Sequence, residues 1–284
     1  MTSYAPRKYW SHLAENYGQE DQWGFSPILH PGAPGWFNRQ IDKLQERAWL
    51  RVLSLCRLRE GAAVLDVGCG TGRWVRRYSQ MGYSPTGLDA SLSMLRRAIE
   101  LKTFTPLVGG ELQALPFRDQ TFDCVSVITV IQHIPEPEQQ RAIKEAVRVI
   151  RQGGYLILLE VIRGRATHVV SHKPVEWIER VQACGPELIS WFGQEFLLFD
   201  RMVTGTVSLG KAIFFGAETR GLPVPPETLE TTSKLGRVAK RLYLGARRIS
   251  VGLSAWTEPL ADGMCPPDWA THGAFVFRKP TARP

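Results

Sequence analysis

VLDVGCGTGRW, running from Val64 to Trp74, decides the reading of this chain. A short apolar run broken by one acid, three alternating glycines (Gly68, Gly70, Gly72) and a helical pattern spell strand, tight turn and helix. Glycines at such a turn let the backbone approach a ligand closely, and the helix that follows aims unpaired N–H groups at it, so a nucleotide-like ligand is expected. The dinucleotide fingerprint GxGxxG requires glycine where this chain has Arg73, and the phosphate-cradling GxxxxGK(S/T) pattern is absent. Neither NAD nor ATP is favoured.

Outward from the loop the same unit repeats. Residues 63–67 predict a buried strand, 71–81 a helix, 85–89 a second strand, and 91–101 a helix with Ser91 as N-cap. A weak strand at 105–108, a strong one at 122–130, a helix over 136–150 ended by Gly153 and Gly154, and an apolar strand at 155–162 follow. Continuous apolar strands alternating with helices predict a doubly wound, mostly parallel α/β sheet, seven-stranded once 187–191 and 274–278 are counted. Residues 1–60 read as a helical cap with helices over 6–17 and 38–58 and a lid loop, SPILHPGAPGWF. Residues 61–192 read as the core, 193–270 as an inserted acceptor wall, and 271–284 as the final strand and tail.

At 284 residues, 44% hydrophobic and 22% charged, the chain is globular rather than disordered or fibrous. It contains no apolar run of membrane-spanning length and no apolar leader, which reads as cytoplasmic. Five cysteines without a CxxC pair exclude a disulfide framework and a zinc clamp. The net charge of +8 is concentrated in residues 73–97 and 233–250, and raises nucleic acid, anionic lipid or an acidic substrate as partners.

Four segments in order, DVGCGTG (66–72), GLDAS (87–91), ELQALPFRDQTFD (111–123) and VITVIQHIP (127–135), resemble the class I, Rossmann-like S-adenosylmethionine-dependent methyltransferases. Within them they resemble the ubiquinone/menaquinone methyltransferase-like group, over roughly residues 45–165. The resemblance implies adenosylmethionine as cofactor. It implies a binding set of Tyr17, Asp66, Gly68, Cys69, Gly70, Gly72, Asp89, Ala90, Met94, Glu111, Leu112, Thr129 and Val130, with Asp66 toward the ammonium, Asp89 on the ribose hydroxyls and Glu111 near the adenine amine. Glu111 departs from the family's usual Asp.

Ligands of open parallel sheets sit beyond the strand carboxyl ends, so 129–133 and 160–163 should face the reaction. His133 is the first candidate for a general base, with Glu160, His30 and His272 behind it. His168 and His172, four apart, read as surface histidines, and no metal is required. Trp177, Trp191, Trp256 and Trp269 read as core. The basic helix 234–253 reads as a packed helix with a solvated outer face; peripheral contact with anionic lipid, nucleic acid or an anionic sugar is the alternative. The expectation is a methyltransferase acting on a small molecule or glycan, at oxygen. Alternatives are an RNA methyltransferase, a quinone C-methyltransferase and a non-catalytic cofactor-binding activator subunit.

Overall fold

The computed structural model describes residues 5–17, 24–25, 27–31, 33–164, 168–202, 204 and 234–281. Two helices, α1 (Pro6–Asn16) and α2 (Gly35–Leu55), precede the repeating units. These are β1 (Ala63–Val67), α3 (Arg73–Gln80), β2 (Ser84–Asp89), α4 (Leu92–Glu100), β3 (Leu107–Gly109), β4 (Phe122–Ile128), α5 (Glu136–Val149), β5 (Ile150–Val161), α6 (Pro174–Gln182) and β6 (Glu187–Gln194). After a long helix, α7 (Lys234–Met264), the chain returns as β7 (His272–Arg278). The sheet order is β3-β2-β1-β4-β5-β7-β6, with β7 antiparallel to both its neighbours.

Alternate residues of each central strand enter opposite cores. Leu65, Val125, Val127, Leu156, Leu158, Phe275 and Phe277 pack on one face with α5 and α6. Val64, Cys124, Ile128, Ile157, Leu159, Ala274 and Val276 pack on the other with Trp49 of α2 and Trp74 and Tyr78 of α3. Both faces being covered is why these strands read as unbroken apolar runs.

Three boundaries differ from the sequence expectation. Gly153 and Gly154 do not end α5 but lie inside β5, where a Cβ on Gly154 would stand 2.7 Å from the Asp123 carbonyl oxygen of β4. Glycine there serves close strand approach. Helix α2 starts at Gly35, inside the loop as read from sequence, because Pro34 supplies its extended N-cap residue. Helix α7 runs past Leu253 and through Pro259 to Met264. Trp177 is core and Trp191 stacks on Phe275, but Trp256 and Trp269 are exposed, against expectation. Residues 205–233 of the inserted wall lie outside the described residues.

Candidate active site

A cavity of about 380 Å³ opens beyond the carboxyl ends of β1, β2 and β4. Of the residues expected at the cofactor, Gly68, Cys69, Gly70, Asp89, Ala90, Met94, Glu111, Leu112, Thr129 and Val130 line it, as does His133. Gly68 and Gly70 have φ of +68° and +52°, and a Cβ on Gly68 would fall 2.3 Å from Val130 Cγ2. Side chains are therefore excluded at Gly68 and Gly70, where backbone forms the floor of the cavity beside Cys69.

Asp89 joins this floor to the next helix: Oδ2 accepts from Gly70 N at 2.8 Å and Oδ1 from Ser91 N at 2.8 Å. Ser91 in turn caps α4 by accepting from Met94 N. Burial raises the Asp89 pKa to about 6 against the lowering effect of those two N–H groups. Each carboxylate oxygen keeps a lone pair for a ligand hydroxyl. One strand deeper, Asp66 Oδ1 accepts from Ser126 Oγ at 3.0 Å while Oδ2 is buried without a hydrogen-bond partner. Burial lifts this carboxyl to about 7. An orphaned acid behind a backbone cradle, with a second acid presenting free lone pairs, matches the ammonium and the ribose diol of adenosylmethionine.

Asp66, set behind the glycine loop, Gly72, the left-handed N-cap of α3, and Tyr17, at the C-cap of α1, are not among the residues lining the cavity. The α1 contribution is Trp10, whose ring meets His133 edge-on at 5.0 Å and closes the cavity from above. From the lid loop, Ile28 reaches the cavity over Gly70; His30 does not line it, its backbone being tied to the Asn38 amide and its ring set against Phe37. Glu111 is exposed at the rim.

The candidate bases sort differently from expectation. Gln132 Oε1 accepts from Val161 N, so its amide nitrogen is the donor toward His133 Nε2 at 3.2 Å; His133 Nδ1 then carries the proton donated to the His168 carbonyl at 3.0 Å. Both ring nitrogens are engaged, and burial lowers the pKa to about 4. The ring is held as a wall. Glu160 is fully buried and accepts from the backbone N–H groups of Val130, Ile131 and Gln132 at 3.1, 2.9 and 3.2 Å. It fixes the turn that presents Val130 and His133 to the cavity, and burial raises its pKa to about 7 against the lowering effect of those N–H groups. His172, read from sequence as a surface histidine, is buried: its Nε2 donates to Gln139 Oε1 of α5 at 2.7 Å, just before α6 begins.

Sequence reading missed a buried polar chain. Arg73 pairs with Asp42 at 3.1 Å and donates to Gln45 Oε1 at 2.8 Å; Gln45 Nε2 donates to Glu195 Oε1 at 3.2 Å, and Glu195 Oε2 lies 3.2 Å from His272 Nδ1. Arg73 lines the cavity, its pKa brought down to about 10 by burial. Burial alone would raise the Glu195 carboxyl, but His272 outweighs it and holds it at about 2; the same pairing overcomes burial to raise the His272 pKa. Glu195 adopts φ +62°, left-handed for a non-glycine residue, and His272 lies opposite Val161 of β5 and Gln194 of β6. The only sequence signal was an isolated His at a strand start.

The comparisons join this geometry to known proteins. Residues 65–158 match the family model of a methyltransferase domain. They form a class I methyltransferase domain. Similar curated proteins include the demethylmenaquinone methyltransferase of Renibacterium salmoninarum, 34% identical over 124 residues, 43% of this chain and 52% of that one. Another is the malonyl-acyl-carrier-protein O-methyltransferase of Pectobacterium atrosepticum, 34% identical over 133 residues, 46% and 51% of the two chains. The chain spans about half the length of these relatives. Among solved structures, the phosphoethanolamine N-methyltransferase 2 of Haemonchus contortus in complex with S-adenosyl-L-methionine shares the fold at TM-score 0.57 and 17% identity, covering 99% of this chain and 61% of that one. The cyclase SpnF shares it at TM-score 0.55 and 19% identity, with 89% and 86% covered. A methyltransferase-like fold around a cyclase shows why the domain's chemistry must be argued from its site.

Proposed function

We propose that this chain binds S-adenosylmethionine in the 380 Å³ cavity and methylates a hydroxyl oxygen of a small-molecule acceptor, with His272 as the proton acceptor. His272 does not line that cavity but stands within charge-interaction range of His133, on its wall, and of Glu160. The observation that carries the donor half is the pair of acids, Asp66 with its orphaned oxygen and Asp89 clasping the glycine loop. Adenosylmethionine, when bound, supplies a methyl group already activated on a sulfonium, so the protein has to align the acceptor and receive a proton. Arg73 on the lining, with Asp66 behind it, would hold the amino-acid end, Asp89 the ribose, and Leu112 and Met94 the ring; Trp10 and Ile28 would exclude water. Glu160 keeps the Val130 to His133 wall in place.

For the acceptor half, Glu195 engages His272 Nδ1, leaving Nε2 as the nitrogen that receives a proton. Nε2 would take the acceptor hydroxyl's proton, with Glu195 compensating the charge, while the methyl group would pass to the oxygen as its bond to the sulfonium breaks and the neutral thioether leaves. A second reading is favoured by the demethylmenaquinone methyltransferase relatives: methylation of a ring carbon beside a hydroxyl. The same base serves it, since deprotonating that hydroxyl makes the neighbouring carbon nucleophilic.

The test is transfer from methyl-labelled adenosylmethionine to a panel of hydroxylated small molecules, including hydroquinones, with RNA and glycans as separate arms. Label in a hydroxylated small molecule, abolished by His272→Ala, supports the reading. Label recovered only in RNA, or adenosylhomocysteine binding without any turnover, would replace it with the RNA or activator-subunit reading.

A further inference from the structure

Helix α7 has two apolar faces. One packs inward: Val251 meets Phe37, Ile41 and Leu44 of α2, Ser254 Oγ accepts from the backbone of Phe199 and Asp200, and Glu258 accepts from Phe196 N. The opposite face was expected to be polar and is not. Leu242, Ile249, Leu253, Trp256, Leu260 and Met264 are 70%, 67%, 44%, 76%, 60% and 82% exposed. Their spacings of seven, four, three, four and four place them in one stripe, and the residues between them on that face are small: Gly245, Ala246, Gly252 and Gly263. The stripe is about 33 Å long at 1.5 Å per residue. An apolar strip of that length on a helix otherwise anchored to its domain marks an interaction surface.

Charge selects the occupant. From residue 234 to 257 the helix sequence carries Lys234, Arg237, Lys240, Arg241 and Arg248, besides Arg247, which turns inward to pair with Asp200 over the Phe37 ring, and not one acid. The first acids, Glu258 and Asp262, are respectively buried and paired with Arg51, so a second copy of this helix brings no free negative charge to the cations. Nucleic acid would meet the cations but leave the leucines and Trp256 in water. An anionic lipid surface satisfies both, taking the apolar side chains into the headgroup boundary and the cations against phosphate. We infer that α7 lays its outer face, Leu242 to Met264, on an anionic phospholipid surface, so that this domain works as a peripheral membrane protein.

The inference does not depend on the methyl-transfer reading, because no stripe residue lines the cofactor cavity. The experiment is co-sedimentation of the full chain with phosphatidylcholine vesicles alone and with vesicles carrying about 30% phosphatidylglycerol, at low and high salt. Expected is binding to the anionic vesicles, weakened by salt, and little to the neutral ones. Ile249→Glu/Trp256→Glu/Leu260→Glu should reduce it at least about tenfold while adenosylhomocysteine affinity stays within about twofold, which certifies the fold and isolates this surface. Arg248→Glu should lower affinity for anionic vesicles more than for neutral ones. The inference is overturned if the parent ignores anionic vesicles, as when another part of the chain covers the stripe. It is equally overturned if the triple variant binds like the parent, or if the stripe instead drives a dimer that the triple variant dissolves.

Discussion

Asp66→Asn should make the cofactor-free protein more stable and a poorer binder of its cofactor. The Asp66 side chain is 1% exposed, one oxygen bonded to Ser126 and the other without a partner, and burial raises its pKa from 3.8 to about 7. A carboxyl whose pKa is higher folded than unfolded favours the folded state below about pH 4 and penalises it progressively as pH rises through about 7. Three units of difference correspond to roughly 4 kcal/mol against folding at pH 8. Asparagine removes the charge and keeps the acceptor for Ser126, but its amide hydrogens lack partners, a cost of about 1–3 kcal/mol. The net gain is then about 1–3 kcal/mol at pH 8, or roughly 2–6 °C in melting temperature for a chain of this size. At pH 5 the folded carboxyl is neutral and only roughly 1.6 kcal/mol of that penalty remains, which the unpartnered amide offsets, so the gain should vanish. Thermal melts at pH 5 and 8 with and without adenosylhomocysteine, together with calorimetric titration at pH 8, measure both arms. Affinity should fall at least about tenfold, the loss of a charge-assisted contact to the ligand ammonium. A variant that melts below the parent at pH 8, or that binds adenosylhomocysteine as well as the parent does, refutes the reasoning.

Asp89→Ala removes the acceptor for two loop N–H groups and for the ribose, and should weaken adenosylhomocysteine binding by ~2–3 kcal/mol, about 30- to 150-fold by calorimetry. His272→Ala should lower turnover by roughly 100-fold with cofactor affinity within about twofold, whereas His133→Phe, which keeps a ring in the wall, should retain more than about a tenth of parental turnover. Because Glu195 raises the His272 pKa, the ascending limb of kcat/KM should lie above pH 6.5 and move to lower pH in Glu195→Gln; a limb unmoved by that change would detach the pair from the chemistry. Glu160→Ala strands three backbone N–H groups in the core and should cost on the order of 3 kcal/mol, read as a lower urea midpoint with unchanged slope.

The cofactor half was legible because a backbone cradle dictates its residue types locally. Glycines are required where φ is positive, an acid where a strand ends beside a helix start, and a cap at Ser91, and all of these fall within short sequence intervals. The acceptor half was not. Glu195 and His272 meet only because β7 inserts beside β6, and Arg73 reaches Gln45 only because α3 packs on α2; neither pairing has a local signature. Glu160 looked like an active acid because a lone carboxylate in an apolar strand reads the same whether it faces a substrate or three N–H groups. In α7, apolar residues surround the helix on both sides, so periodicity could not show which face would be packed.

The strand order also constrains how the chain is made. Among the described residues β6 pairs only with β7, and β5 has β7 on its second edge, so until residue 278 has been synthesised these two edges lack the strand that joins them. A nascent chain halted anywhere between Gln194 and His272 therefore carries a bare apolar edge, the kind of surface on which neighbouring chains pair. Strand β7 acts as the latch of the sheet, so loss of residues 272–278 would leave β5 open on one edge and β6 without its partner.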